Sequence, residues 1–298
     1  MLARKKEQQG LIGRFAPSPT GPLHMGSLLA ALASYCDIKQ RGGRWFVRID
    51  DIDPPRALND AIAAITRSLE AHGLVGDGID GDGSIDFQSA HNERYLTARA
   101  RLSHRSFFCR CSRRALRALA KYPGYCRSNK DPLADSAIRL EVDNQMREFE
   151  DFFQGASVYQ LDDHFGDFII WRRDGLVAYN LATAVDDAMD VTEVLRGNDL
   201  FSVTAQQRYV AELLGLPSPA YGHLPVLCYA DGEKLSKQTH APALQDSLAA
   251  SNLRSAATYL GLNPPEIDWP VSRWVEWAVQ NWQRDKVPAQ LKPYSAEA

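Results

Sequence analysis

The pattern of apolar and polar positions opens with a short strand-like run at 11–16, then a Pro/Gly loop, then an Ala/Leu-rich stretch from Ser27 to Lys39 that predicts a helix. A Gly-Gly turn leads into a second strand-like run, Arg44 to Ile49. Strand, helix, strand in that order predicts a parallel α/β unit. Further along, the runs Phe168 to Trp171 and Leu176 to Tyr179 flank Arg173-Asp174-Gly175, a good hairpin turn. Leu224 to Leu227 and the Asp231-Gly232 turn continue in that strand style. Beyond about residue 240 the period becomes helical, with Ser251 to Leu260 and Val271 to Trp282 separated by Asn263-Pro264-Pro265. There is no internal repeat and no low-complexity tract.

Composition adds an asymmetry. The 298 residues carry a net charge of −3, yet 94–130 hold eleven Lys/Arg and no acid, which leaves 23 cations against 37 acids elsewhere. Such a segment is either a solvated helical face or a phosphate-binding surface for RNA, and the complete lack of acids favours RNA. Tyr95, Phe107, Phe108, Tyr122 and Tyr125 lie among the arginines and offer rings for stacking on unpaired bases, although Phe107 and Phe108 are expected to face the core. No apolar run approaches the roughly 20 residues that cross a bilayer, and no apolar stretch follows the first charges as in a signal peptide. A cytoplasmic chain without membrane contact is expected. Three of the five cysteines, Cys109, Cys111 and Cys126, fall within eighteen residues, which points to metal rather than to a disulfide framework. Cys36 and Cys228 are expected in the core.

Two stretches carry candidate chemistry. Arg14-Phe-Ala-Pro-Ser-Pro-Thr-Gly-Pro-Leu-His24-Met-Gly26 runs from a strand end through rigid prolines to a helix start. Gly26 would let a backbone or a ring approach closely, and the N–H groups of the helix start favour a phosphate. Lys234-Leu-Ser-Lys237-Gln238 places two point charges three residues apart, suited to phosphates. Alone, the first also fits an ordinary βα loop and the second a solvated one; as a pair they are far more specific.

Together they resemble the HIGH and KMSKS pair of class I aminoacyl-tRNA synthetases. Arg14 to Gly21, Val47 to Arg56 and Leu195 to Leu200 resemble the glutamyl branch, and the match is best to its short paralogues, the glutamyl-Q tRNA(Asp) synthetases, over about 13–245. The resemblance implies a Rossmann-like catalytic domain in two halves, about 11–100 and 161–245, around a zinc-bearing insert at about 101–160, with a helical end at 246–298. The stretch after Gln238 amounts to about a third of a typical domain, too little for the anticodon-binding portion of a full glutamyl-tRNA synthetase.

Position by position, the resemblance puts glutamate against Arg14, Phe15, Ala16, Pro17, Ser18, Asp50, Tyr179 and Arg196. Arg196 is the candidate for the side-chain carboxylate, which a guanidinium grips bidentately. The family usually has Glu where Asp50 stands, so Asp50 meets the substrate ammonium with a shorter reach unless Asp51 or Asp53 shares the work. His24, Gly26, Lys234 and Lys237 are the catalytic set, with His24, Gly26 and Lys237 on ATP. Structural Zn²⁺ is implied on Cys109, Cys111, Tyr122 and Cys126, with Tyr125 and His104 as rival fourth ligands. His72, His91, His164, His223 and His240 receive no catalytic role, although His240 lies beside the lysine loop. The implied partners are ATP with Mg²⁺, L-glutamate and queuosine-containing tRNA(Asp), acting on a monomer. The alternatives are a truncated glutamyl-tRNA synthetase that charges a 3′ end and a non-catalytic tRNA-binding paralogue.

Overall fold

The computed structural model describes residues 10–53, 59–235, 241–291, 293 and 294. Strand β1 (Ile12–Phe15) pairs in parallel with β2 (Arg44–Ile49), in register from Ile12 with Arg44 to Phe15 with Val47. The crossover between them is α1 (Met25–Lys39), whose Leu28, Leu29, Leu32 and Cys36 are buried on the sheet. Full burial of one such Leu contributes about 1.5–3 kcal/mol, which outweighs helix propensity as the reason for the element. The helix ends before a glycine pair that the chain needs. Gly42 has a φ of +69°, and a Cβ on Gly43 would lie 2.8 Å from the Leu11 carbonyl oxygen.

After α2 (Asn59–Ala71), β3 (Asp86–Phe87) adds to the free edge of β2, again in parallel. α3 (Asn92–Arg101) then leads into a three-stranded antiparallel sheet. There, β5 (Ala137–Leu140) lies between β4 (Ser106–Cys109) and β8 (Phe168–Trp171), and the one-turn helix α4 (Arg113–Leu116) falls between β4 and β5 in sequence. The hairpin of β6 (Met146–Asp151) and β7 (Gly155–Gln160) is followed by α5 (Leu161–His164). After β8 come α6 (Tyr179–Asp190), β9 (Glu193–Gly197), α7 (Phe201–Leu213) and β10 (Ala220–Leu224). β9 and β10 pair in parallel, and β6 borders β10 at Asp151 and Tyr221. Ile12 and Thr192 exchange hydrogen bonds of 2.8 to 3.0 Å at the foot of β1 and β9, which joins the two groups of parallel strands.

The sheets do not divide at residue 160. β6 and β7, inside the span expected for the insert, belong with β10 and β9, while β8, expected in the second catalytic half, pairs with β5. Two shorter readings also change. Leu176 to Tyr179 is no strand: it makes one bridge, at Val177, and Tyr179 opens α6. The strand expected at Leu224 to Leu227 ends at Leu224. The helices α8 (Ala249–Tyr259) and α9 (Val271–Asn281) lie close to their predicted spans.

This helical end is fastened to the catalytic body. Asp37, on α1 and 2% exposed, accepts Trp282 Nε1 at 2.9 Å and Arg284 Nε at 2.7 Å. Burial pushes the Asp37 carboxyl up, but the bonds from Arg284 and Trp282 hold it below its ordinary value. Among the described residues, no helix is long and apolar enough to cross a membrane.

Candidate active site

The loop after β1 turns beneath the carboxyl ends of the parallel strands, the usual place for a ligand in an open α/β sheet. Asp50 N donates to the Pro17 carbonyl at 3.1 Å, which ties that loop to the end of β2. His24 caps α1, its Nδ1 accepting the Ser27 N–H at 3.3 Å. A Cβ on Gly26 would meet the His24 ring at 3.1 Å and come within 3.7 Å of the Leu235 carbonyl oxygen, so glycine keeps that space open.

Two cavities meet here. One of about 560 Å³, the size of a nucleotide-class pocket, is lined by Phe15, Pro17, His24, Gly26, Gly197 and Lys234 among others. The other, of about 260 Å³, is lined by Asp50, Asp53, Arg172, Val177 and Tyr179 among others. Ser18 and Thr20 line both. Lys234 reaches the larger cavity from a tight turn, in which Gly232 adopts a φ of +86° and Leu235 N donates to the Leu227 carbonyl at 2.8 Å. Its ammonium pairs with Asp199 at 2.6 Å. Lys237 and His240 lie outside the described residues.

Below the smaller cavity sits a buried charge network. Arg14 donates through Nε and Nη2 to both oxygens of Asp187, at 3.1 and 2.8 Å. Arg48 bridges Asp187 and Asp50 at 2.8 Å each. Burial would push the Asp187 carboxyl up, yet Arg14 and Arg48 draw it far below the carboxylate range. Asp50 is pushed up to about 6, because burial outweighs its attraction to Arg48 and Arg14. Asp51 is engaged elsewhere, accepting Ser89 N and Oγ at 2.8 and 2.7 Å. Asp53 lines the cavity and pairs with Arg172 at 3.0 Å.

Of the positions predicted to hold glutamate, Ser18, Asp50 and Tyr179 line the small cavity and Phe15, Pro17 and Ser18 the large one. Ala16 is half-buried in the loop between them in sequence. Arg14 and Arg196, each 4% exposed, line neither cavity and lie buried in the charge networks behind them. Arg196 donates from Nε to His223 Nε2 at 3.1 Å, and from Nη2 to Thr204 Oγ1 and Gln207 Oε1 at 2.7 and 2.8 Å. Its buried Nη1 has no hydrogen-bond partner among the described residues.

Sequence reasoning missed Arg48, Asp187, Asp151 and His223. A signal existed for Asp187: two acids stand in an apolar helical run, Ala182 to Met189, and a buried carboxylate needs a cation. A second titratable group, His91 with Asp186 and Asp190, is an ion-pair network in which Arg94 lies 2.5 Å from Asp190. Burial would push the His91 imidazole down, but Asp186 and Asp86 hold it up at about 9.

The cysteines converge as predicted. The sulfurs of Cys109, Cys111 and Cys126 all lie within 4.8 Å of one another, and those of Cys111 and Cys126 are 3.7 Å apart. A tetrahedral Zn–S site with bonds of about 2.3 Å has a sulfur–sulfur edge of about 3.8 Å, so the donor set fits zinc. The Tyr122 hydroxyl oxygen accepts from Cys109 Sγ at 3.5 Å and from Cys126 N at 2.9 Å. His104 instead bonds the Arg101 carbonyl, and Tyr125 is 68% exposed. Burial would push the Cys109 thiol up, but hydrogen bonds with Tyr122 and Arg139 bring it down to about 7. Of the two cysteines expected in the core, Cys36 is fully buried and Cys228 half-buried.

The same geometry divides the basic segment. Arg94, Arg105, Lys121, Arg127 and Lys130 are held in ion pairs. Arg113, Arg114 and Arg117 are exposed on and just after α4, which Ser112 caps by accepting Ala115 N at 3.2 Å. Tyr95, Phe107 and Tyr122 are buried, so Tyr125 is the ring most open to a base.

Residues 11–258 match the family described as tRNA synthetases class I (E and Q), catalytic domain. The chain belongs to that family. It is 44% identical over 283 residues to a glutamyl-Q tRNA(Asp) synthetase of Ectopseudomonas mendocina, covering 93% of this chain and 95% of the relative. It is 43% identical over 288 residues to one of Chromobacterium violaceum, with the same shares. Among solved structures, a glutamate-tRNA synthetase from Elizabethkingia anophelis aligns with a TM-score of 0.80 at 21% identity, over 97% of this chain and 69% of that one. This likeness shows the fold, a class I synthetase catalytic domain. The matched family consists of ATP-dependent ligases, which sets aside a merely RNA-binding chain.

Proposed function

We propose that the chain activates glutamate with ATP and then transfers it to the queuosine base at the wobble position of tRNA(Asp), in the cytoplasm. The observation that carries the first step is the meeting of the two cavities at Ser18 and Thr20. A glutamate in the small cavity presents its α-carboxylate to the α-phosphorus of an ATP in the large one. One carboxylate oxygen forms the new P–O bond as pyrophosphate leaves, and glutamyl-adenylate results.

The residues supply position and charge. Asp50 faces the substrate ammonium. Arg196 takes the side-chain carboxylate through Nη1, a buried donor whose missing partner otherwise costs about 1–3 kcal/mol. Arg14 holds Asp187, which Arg48 links to Asp50. His24 and Lys234 meet the phosphates, joined by Lys237, and act mainly by charge stabilisation and orientation. Mg²⁺ arriving with ATP supplies charge neutralisation at the leaving pyrophosphate. Cys109, Cys111, Cys126 and Tyr122 hold Zn²⁺, which braces the insert. In the second step a queuosine hydroxyl attacks the adenylate carbonyl and AMP leaves; exposed Arg113, Arg114, Arg117 and Tyr125 hold the RNA. The names of the relatives at 44% and 43% identity support this acceptor over a tRNA 3′ end.

Pyrophosphate exchange tests the first step. Labelled pyrophosphate should enter ATP when glutamate is present and tRNA absent. Exchange that appears only after tRNA is added would contradict the proposal.

A further inference from the structure

Arg196 is held by a device that no feature of the sequence announced. His223, on β10, is fully buried, and its Nδ1 lies 2.5 Å from Asp151 Oδ2 at the end of β6. The other ring nitrogen, Nε2, is 3.1 Å from Arg196 Nε and 2.9 Å from Thr204 Oγ1. An arginine Nε always carries its proton, so His223 Nε2 must present a bare lone pair. Nδ1 must then hold the imidazole proton and donate it to Asp151. The buried carboxylate requires the same arrangement from its own side, since its Oδ1 already accepts the N–H groups of His223, Phe153 and Gln154 at 3.0 to 3.1 Å.

We infer that Asp151 and His223 are positioning residues for glutamate recognition: Asp151 selects the His223 tautomer, and that tautomer orients the Arg196 fork. With Nε taken by His223 and Nη2 by Thr204 and Gln207, the guanidinium plane is set and Nη1 is the edge left for a substrate carboxylate. The other tautomer, or the imidazolium, would point an N–H at the Arg196 N–H and turn the fork away.

The charged groups that face the ring agree, and Thr204 Oγ1, within reach of both Nε2 and the Leu200 carbonyl, must then turn its proton to Nε2. Burial lowers the affinity of His223 for a second proton, Asp151 opposes that effect, and the positive charges of Arg196 and Arg14 reinforce it, so the imidazole stays below its ordinary value. Tyr221 stacks on the ring at 5.9 Å and Phe201 meets it edge-on at 5.2 Å, which closes the remaining sides.

The inference rests on the glutamate role of Arg196, and its test separates the two. Pyrophosphate exchange without tRNA gives KM for glutamate, KM for ATP and kcat for each variant. Arg196→Ala reports on the role itself; if its glutamate KM is unchanged, that role fails and the relay has nothing to orient. Given an effect there, Asp151→Asn should raise the glutamate KM about tenfold or more, the loss of a hydrogen bond to a charged group, with KM for ATP and kcat little changed. In Asp151→Asn the amide oxygen keeps the three backbone N–H groups and its NH₂ faces Nδ1, which forces the proton onto Nε2.

His223→Gln restores an acceptor beside Arg196 Nε without any tautomer to choose, so it should recover near-parental glutamate KM, and Asp151→Asn added to it should cost little. His223→Met, which removes the acceptor, should match Asp151→Asn. Strong non-additivity between Asp151→Asn and His223→Gln is the expected signature. An equal rise from Asp151→Asn in both backgrounds would show that Asp151 only braces the loop and would overturn the inference. So would an unchanged glutamate KM in both Asp151→Asn and His223→Met.

Discussion

Asp50 carries its carboxyl at about 6 in the substrate-free protein, chiefly because it is buried, and only its ionised form attracts an ammonium. Apparent glutamate affinity should therefore be steady above that pH and fall about tenfold per unit below it, a trend read from the glutamate KM in tRNA-free exchange. Asp50→Asn should raise that KM and erase the step. A step that persists in Asp50→Asn would move the titration to another group. The stability linkage has the opposite sense: a carboxyl raised in the folded state loses stability as pH climbs from 3.8 through about 6. Asp50 stood out as a candidate substrate carboxylate because it stands in a recognisable run, Val47 to Arg56. Arg48, two residues earlier in that run, gave no sign that it would bridge Asp50 and Asp187, since a single arginine in a strand is ordinarily solvated. His223 and Asp151 were equally silent, because 72 residues separate them and only the placement of β6 beside β10 brings them together.

The cysteine loop shows how an element depends on a few contacts. Tyr122 is pinned from behind, where a Cβ on Gly166 would lie 2.7 Å from its carbonyl oxygen, and the Arg139 guanidinium stacks 3.9 Å from its ring. Around the thiols, Phe107, Leu116 and Tyr122 form a small apolar cluster among the described residues. One zinc per chain is expected, and Cys111→Ser should lose it, because a hydroxyl is a weak substitute for a thiolate. Metal analysis of freshly purified protein checks both halves, and a metal-free parent protein would refute the site. Helix α1 was legible because Ala and Leu dominate it, and the cysteine spacing because three thiols so close have few other uses. Tyr179 was misread because Leu176 to Tyr179 is a short apolar run, and periodicity cannot tell a strand from a buried helix start at that length. Sheet pairing across the expected insert boundary was hidden for a related reason: pairing partners of β6 and β8 lie far away in sequence.

On the scale of the molecule, the proposed activation and transfer fall on different surfaces. The cavities lie at the strand ends, whereas Arg113, Arg114 and Arg117 sit on and just after α4, beyond the cysteine pair Cys109 and Cys111. Changing the three arginines together to Ala should weaken tRNA binding and flatten its salt dependence by about 0.7–0.9 in log–log slope for each phosphate no longer neutralised. Adenylate formation should hardly change. Identical transfer and an identical salt slope would make the segment a solvated face.

Asp37 on α1 holds Trp282 and Arg284, just after α9, which ties the body of the fold to its helical end. The central claim is that this unit delivers glutamate to a modified base. Transfer of labelled glutamate to tRNA(Asp) with and without queuosine tests it most directly. Label is expected on the queuosine-containing tRNA alone, retained after the 3′-terminal adenosine is removed; label on both tRNAs, lost with that adenosine, would contradict delivery to the base.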